Sequence, residues 1–416
     1  MIVYVAKHLL PVASPPIQSG AVVVHEGRIV AVGRRKDVVR AHAGAEVRDL
    51  GEAVILPGLV NAHTHLELSA LHEATPSTSA FMPWLRDLVT RRAQMPEDAI
   101  VSAATAAVET MVARGTVAIG DVGNGTLAGP VAARSPLHAI LFHELYGFRA
   151  SDAETILDQA AARLDAIESE PAVAAAKGRV AAVLTPHAAH TTSASLLKAL
   201  GGRATASGEA LSIHVAESDE EVQLLRDGTG PFKEFLIERG MWDPAWKAPG
   251  HTPVEYLDRL GVLTARTLAV HCVHLDHQDL TRLQARGLTV VTCPRSNQRL
   301  GVGKAPVGKL LASGITVALG TDSLASSPDV DVFNEMAALR QEHPGLAPAA
   351  ALRIATLNGA RALGFAKILG TIEAGKLAAL AVVGLSEPND DPLEAVTWSS
   401  EAIEPLERAP WESSTR

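Results

Sequence analysis

The chain changes texture twice. Its first fifty residues alternate apolar and polar positions in short pieces, most clearly in residues 20–33 (GAVVVHEGRIVAVG), where Glu26-Gly27 sits between two β-branched runs as a hairpin turn would. Residues 369–384 (LGTIEAGKLAALAVVG) read the same way, and the polar, proline-containing tail from Ser386 shows no period. Between these ends, short apolar runs recur with Ala-rich stretches of helical period such as AIVSAATAAVETMVARG and SDAETILDQAAARLDAIES. The runs read as strands are LVNAHTH, TVAIGDV, HAILFHE, VAAVLTPH, LSIHVAE, TLAVHCVH, LTVVTCP and TVALGTD. Strand and helix signals in alternation imply parallel strands joined by right-handed crossovers, and eight of them close into a (β/α)8 TIM barrel. The expected organisation is an α/β barrel over residues 58–368, with a small composite β-sandwich built from residues 1–57 and 369–416.

Composition narrows the function classes. Across 416 residues, 37 Lys+Arg face 46 Asp+Glu, a formal charge of -9, which argues against nucleic-acid binding through a broad basic surface. With 47% apolar residues and only 5 Trp, 3 Tyr and 7 Phe, the core must be aliphatic. The only cysteines, Cys272 and Cys293, form no CxxC pair and sit in apolar segments, so buried free thiols and a reducing cytoplasm are expected. No run approaches the ~18 apolar residues of a membrane span, and the start lacks the basic-then-apolar order of a signal peptide. A small-molecule substrate is therefore expected, with neither nucleic acid nor membrane as partner and a homodimer left open.

Each of the eight strands ends in a reactive or hydrogen-bonding group: His63 and His65, Asp121, His143 and Glu144, His187, His214 and Glu217, His271, the segment Cys293 to Asn297, and Asp322. A barrel gathers such ends at one mouth. His63 and His65 flank Thr64, and the two-residue period of a strand points both imidazoles to one side. Alone, an HxH is weak and Asp322 reads as a turn or capping residue. Together, His63, His65, His214 and Asp322 offer three neutral nitrogens and a carboxylate, a donor set suited to one divalent ion, zinc first and iron second. A bridged pair of ions would need a further anionic ligand, such as a modified lysine at the fourth strand's end. That end reads Thr185-Pro186-His187, and Lys177 precedes the strand.

Glu217, three residues past His214, is placed to transfer a proton, although an acidic run at a helix start accounts for it equally well without that context. His271 is assigned to the attacking water, His274 to the loop.

These residues resemble the amidohydrolase superfamily: PGLVNAHTHLE after a β unit, HVAE, HCVHL, CPRSNQRLG and GTDS occur in its order and spacing across essentially the whole chain. The string from Pro186 to Ser193 and HxxE at His214 to Glu217 are similar to the mononuclear deaminase and chlorohydrolase branch. That resemblance implies His63, His65, His214 and Asp322 as ligands and Glu217 and His271 as the proton-transfer pair; in the expected chemistry water loses a proton to Asp322 or His271, and Asp322 delivers one to the departing ammonia. Residues 63–71 and 81–86 are similar to aminodeoxyfutalosine deaminases, which act in a menaquinone pathway on a 6-aminopurine nucleoside carrying a carboxybenzoyl group. For such a substrate, Arg149 and Arg295 are the expected carboxylate anchors, His187 a sugar contact and Glu67 an acceptor for a ribose hydroxyl. His190 stands where many relatives have Tyr, and Ala379 where an Asp commonly precedes the last strand. Deaminases of adenosine, S-adenosylhomocysteine or guanine and chlorohydrolases remain alternatives within the branch. A catalytically silent barrel used as a binding module is the distant one.

Overall fold

The structure is a computed structural model that describes residues 1–72, 80–385, 391–398 and 403–405. Its first strands are β1 (Ile2–Leu9), β2 (Ile17–His25), β3 (Arg28–Arg34), β4 (Glu46–Asp49) and β5 (Ala53–Pro57). Glu26 and Gly27 both take positive φ, 49° and 69°, the backbone a two-residue hairpin needs to match strand twist. Eight strands then alternate with helices: β6 (Leu59–Thr64), β7 (Thr116–Gly123), β8 (His138–Leu145), β9 (Val180–Pro186), β10 (Leu211–Val215), β11 (Thr267–His271), β12 (Thr289–Thr292) and β13 (Thr316–Leu319). Each falls within one of the eight apolar runs or extends one by a residue.

β6 to β9 form one parallel four-stranded sheet and β10 to β13 another. They meet at two seams, each marked by a single parallel bridge: Ala188 with His214, and Thr64 with Asp322. At the second seam Asn61 clamps Thr321 twice, donating to its hydroxyl at 2.7 Å and accepting its backbone N–H at 3.1 Å. Gly320 is required there, because a Cβ at this position would lie 2.7 Å from both Cβ and the carbonyl oxygen of His63. The second seam thus joins chain segments some 260 residues apart, and both seams lie just where the candidate ligands sit.

Alternate strand residues divide between packing partners, as the pleat demands. Phe142, Val183, Leu268 and Val270 cluster with Val291 and Ala318, whereas Leu141, Ala182, Leu184 and Ala269 pack against helices. At the strand ends this alternation is broken deliberately: Ala216, His271, Cys272 and Asp322 all have left-handed φ, between 50° and 69°. For residues other than glycine such φ values cost of order 1 kcal/mol or more each and concentrate at functional sites.

The chain's two ends pair. β14 (Leu380–Gly384) runs antiparallel to β5 and carries β15 (Ile403–Pro405), giving a seven-stranded sheet in the order β15-β14-β5-β1-β2-β3, with β4 against β1. One difference from the sequence reading concerns the tail. The helix Pro392–Trp398 lies within the stretch assigned to the β unit, yet it packs on the barrel helix Val332–Glu342. Val396 is fully buried in the barrel's outer core, and Arg340 joins Glu394 at 2.8 Å and the Thr397 hydroxyl at 2.6 Å. Residues 386–390 and those beyond Pro405 lie outside the described residues.

Candidate active site

Four imidazoles and two carboxylates converge at the strand ends. The coordinating atoms of His63, His65 and His214 lie within 4.8 Å of one another, as do those of Glu217, His271 and Asp322. His63 Nε2 and His65 Nε2 are 3.1 Å apart, and Asp322 Oδ1 lies 3.8 and 3.4 Å from them. Two ligand atoms bound tetrahedrally at about 2.1 Å from one ion would be separated by about 3.4 Å, so this spacing suits a shared cation.

The protonation states fit as well. Burial, reinforced by neighbouring imidazoles, pushes His63 well below the usual histidine range and His214 down to about 3; burial also lowers His65 despite the opposing charge of Asp322. All three are therefore neutral lone-pair donors. His214 Nδ1 donates to the His187 carbonyl at 3.0 Å, which fixes the tautomer and leaves Nε2 as the bare nitrogen. Asp322 is ionised: burial opposes this, but the neighbouring imidazoles and the Ser296 hydroxyl outweigh it. Ser296 and Ser326 donate to Oδ2 at 2.6 and 3.0 Å, and the Ser323 backbone N–H to Oδ1 at 2.8 Å. The donor set, buried and held from behind, fits a divalent metal ion bound by His63, His65, His214 and Asp322.

Beside it, His271 Nε2 faces Glu217 Oε1 at 3.6 Å, and His271 Nδ1 is tied to Asn297 Oδ1 at 2.9 Å. Burial raises Glu217 to about 7, so it holds a proton near neutrality. His187 hydrogen-bonds Thr191 through Nδ1 at 2.7 Å and stacks 4.4 Å from the Tyr146 ring. Tyr146 in turn lines a cleft of about 250 Å³ with Phe148, Arg149 and Met241. The chain's scarce aromatic residues gather here, Phe81, Trp84, Phe148, Phe232, Trp242 and Trp246 forming one cluster.

Two expected substrate contacts are redirected. Glu67 is buried with both oxygens engaged, Oε1 accepting from the Leu127 and Ala128 backbone at the start of the helix Ala128–Arg134 and Oε2 from Arg92 at 3.1 Å. It anchors that helix. Arg295 grips Asp329 with two hydrogen bonds, 2.5 and 2.8 Å, which leaves its guanidinium committed within the fold. Arg149 remains at the cleft, exposed, with hydrogen bonds to the Gly240 and Trp242 carbonyls. His274 sits in the loop after β11, bonded to the Val302 carbonyl and Asp219. Ser326, which holds Asp322, and Asn61, which holds its neighbour Thr321, had no signal in the sequence; Glu221 was visible only in the acidic run at a helix start and Asn297 only as part of a strand-end segment.

A model of the amidohydrolase family matches residues 54–406. The chain is 33% identical over 391 residues to a 5-methylthioadenosine/S-adenosylhomocysteine deaminase of Nitratidesulfovibrio vulgaris, covering 91% of this chain and 81% of the relative. It is 34% identical over 355 residues to an aminodeoxyfutalosine deaminase of Deinococcus radiodurans, covering 83% and 82%. Among solved structures, a zinc-bound adenosine deaminase from Xanthomonas campestris superposes with a TM-score of 0.79 at 26% identity, over 96% of this chain and 89% of that one. A Helicobacter pylori aminofutalosine deaminase gives 0.82 at 22% identity, over 97% of each, a likeness of fold.

Proposed function

The chain belongs to the amidohydrolase family, and from that premise we propose that it hydrolytically deaminates a 6-aminopurine nucleoside, with aminodeoxyfutalosine placed first among substrates. The observation that carries this reading is the buried constellation of His63, His65, His214 and Asp322 beside the Glu217–His271 pair. A divalent ion bound there, zinc before iron, supplies Lewis acidity that lowers the pKa of a water towards ~7. Glu217, protonated near neutrality, donates to N1 of the purine as the C6 carbon is attacked, so that negative charge does not accumulate on the ring. His271, oriented by Asn297, receives a hydrogen bond from the attacking water. Asp322 accepts that water's proton and delivers one to the departing ammonia; its serine hydroxyls keep the carboxylate aimed.

Arg149 beside Tyr146 and Phe148 supports a substituent that combines an apolar or aromatic body with a carboxylate. S-adenosylhomocysteine also carries a carboxylate, and the relatives named for 5-methylthioadenosine and S-adenosylhomocysteine favour that as the second reading. The test is ammonia release from adenosine, methylthioadenosine, S-adenosylhomocysteine, guanine and aminodeoxyfutalosine. At least tenfold higher kcat/KM on the last is expected; a preference for either thioether nucleoside replaces the first reading with the second.

A further inference from the structure

Glu221 is completely buried, on the helix Asp219–Asp227 that begins just after Glu217. Its backbone N–H reaches the capping Ser218 hydroxyl at 3.4 Å. Its side chain reaches back four residues: Oε2 accepts the Glu217 backbone N–H at 2.9 Å. That N–H lies outside the helix, so accepting it adds nothing to the helical ladder. It instead fixes the backbone of the residue that carries the acid, directly after the left-handed turn at Ala216. Among the described residues the other oxygen, Oε1, is buried without a hydrogen-bond partner, and so is His190 Nδ1, 3.8 Å away. The His190 ring is packed on Phe232 with centroids 4.1 Å apart. A buried carboxylate with one idle oxygen is an expensive way to satisfy one amide, unless its partner lies close enough to engage it.

We infer that Glu221 and His190 form a buried pair that positions Glu217, Glu221 by holding the Glu217 backbone and His190 by holding Glu221. His190, at the position where many relatives have Tyr, is then a positioning residue and not a substrate contact. This rests on the deaminase reading, in which Glu217 must meet a ring nitrogen within a fraction of an ångström; a 1 Å misplacement costs on the order of 100-fold in rate.

The experiment compares Glu221→Met, which removes the acceptor, with Glu221→Gln, which keeps an oxygen for the Glu217 N–H and an amide facing His190. Turnover is measured per bound metal ion. Glu221→Met should lower kcat by about 30-fold to 100-fold with KM and metal content within threefold, and Glu221→Gln should restore most of that loss. His190→Phe should fall between them and add nothing to Glu221→Met. In a Glu217→Gln background, Glu221→Met should cost nothing further, whereas a merely structural role would reduce the residual rate equally. Backbone amide exchange at Glu217, which needs no substrate, should quicken in Glu221→Met and not in Glu221→Gln. Wild-type kcat in folded, metal-loaded Glu221→Met, or unchanged exchange at Glu217, overturns the inference. A wild-type enzyme that releases no ammonia from any nucleoside overturns the deaminase reading instead, and amide exchange still decides the pair.

Discussion

At the scale of single residues, the two arginines expected to hold a substrate carboxylate have separate fates, and they predict separable phenotypes. Arg149→Ala should raise KM for a carboxylated nucleoside by roughly 10-fold to 100-fold, the weight of a charge-assisted hydrogen bond, and leave adenosine unaffected. Arg295→Ala should instead destabilise the fold by about 2 kcal/mol, because it removes the guanidinium paired with Asp329 and lying beside the buried Glu335. Steady-state kinetics and chemical denaturation read the two effects independently; equal KM changes for both variants would contradict the assignment. Why Arg149 and Arg295 looked alike in the sequence is plain in physical terms. Each follows a strand, and strand order fixes which end of the barrel a residue occupies. Whether its charge is spoken for depends on Asp329, 34 positions away and brought near only by tertiary folding. The candidate ligands stand out for the opposite reason. HxH and HxxE are local patterns on strands whose direction the hydrophobic period reveals, whereas Ser326 and Asn61 act from positions with no pattern of their own, and the acidic run that holds Glu221 announces only a helix start.

Elements were readable where burial imposes a period. All eight barrel strands lie in the apolar runs, because a parallel strand covered on both faces must be apolar almost throughout. The helix Pro392–Trp398 was not, since seven residues give barely two helical turns and only Val396 and Thr397 are buried. Strand β8 opens with His138, which burial, with a smaller contribution from Arg179, holds down at about 4. The unfolded chain binds a proton at His138 near pH 6.5 and the folded one does not until about 4. Stability from this group is therefore complete above pH 6.5 and falls as pH drops towards 4, by about 3 kcal/mol. His138→Gln should flatten the stability profile between those values in denaturant titrations; an unchanged slope would show that the strand's start is not the titrating element.

For the whole molecule, the barrel's seams and the candidate metal site coincide. Thr64 bridges Asp322, Ala188 bridges His214, and the ligands come from both four-stranded sheets. An ion held by His63, His65, His214 and Asp322 would tie β6, β10 and the end of β13 together, so its binding free energy adds to fold stability. Removal by chelator should lower the melting temperature by several degrees and abolish turnover, and stoichiometric zinc should restore both. A melting temperature indifferent to chelation would separate the ion from the fold. No helix among the described residues is long and apolar enough to cross a membrane. With a net charge of -9, an anionic substrate would have to be drawn in by Arg149 and a bound ion against the overall field.

The central claim, that these strand ends form a metal-dependent deaminase with Glu217 as its acid, is tested most directly by ammonia release per bound metal ion in wild type and Glu217→Gln. Wild type should turn over a 6-aminopurine nucleoside with about one ion per chain. Glu217→Gln should retain the ion and lose roughly 1,000-fold or more in kcat, the upper range for a general acid. A metal-loaded Glu217→Gln enzyme that releases ammonia at the wild-type rate would contradict the account.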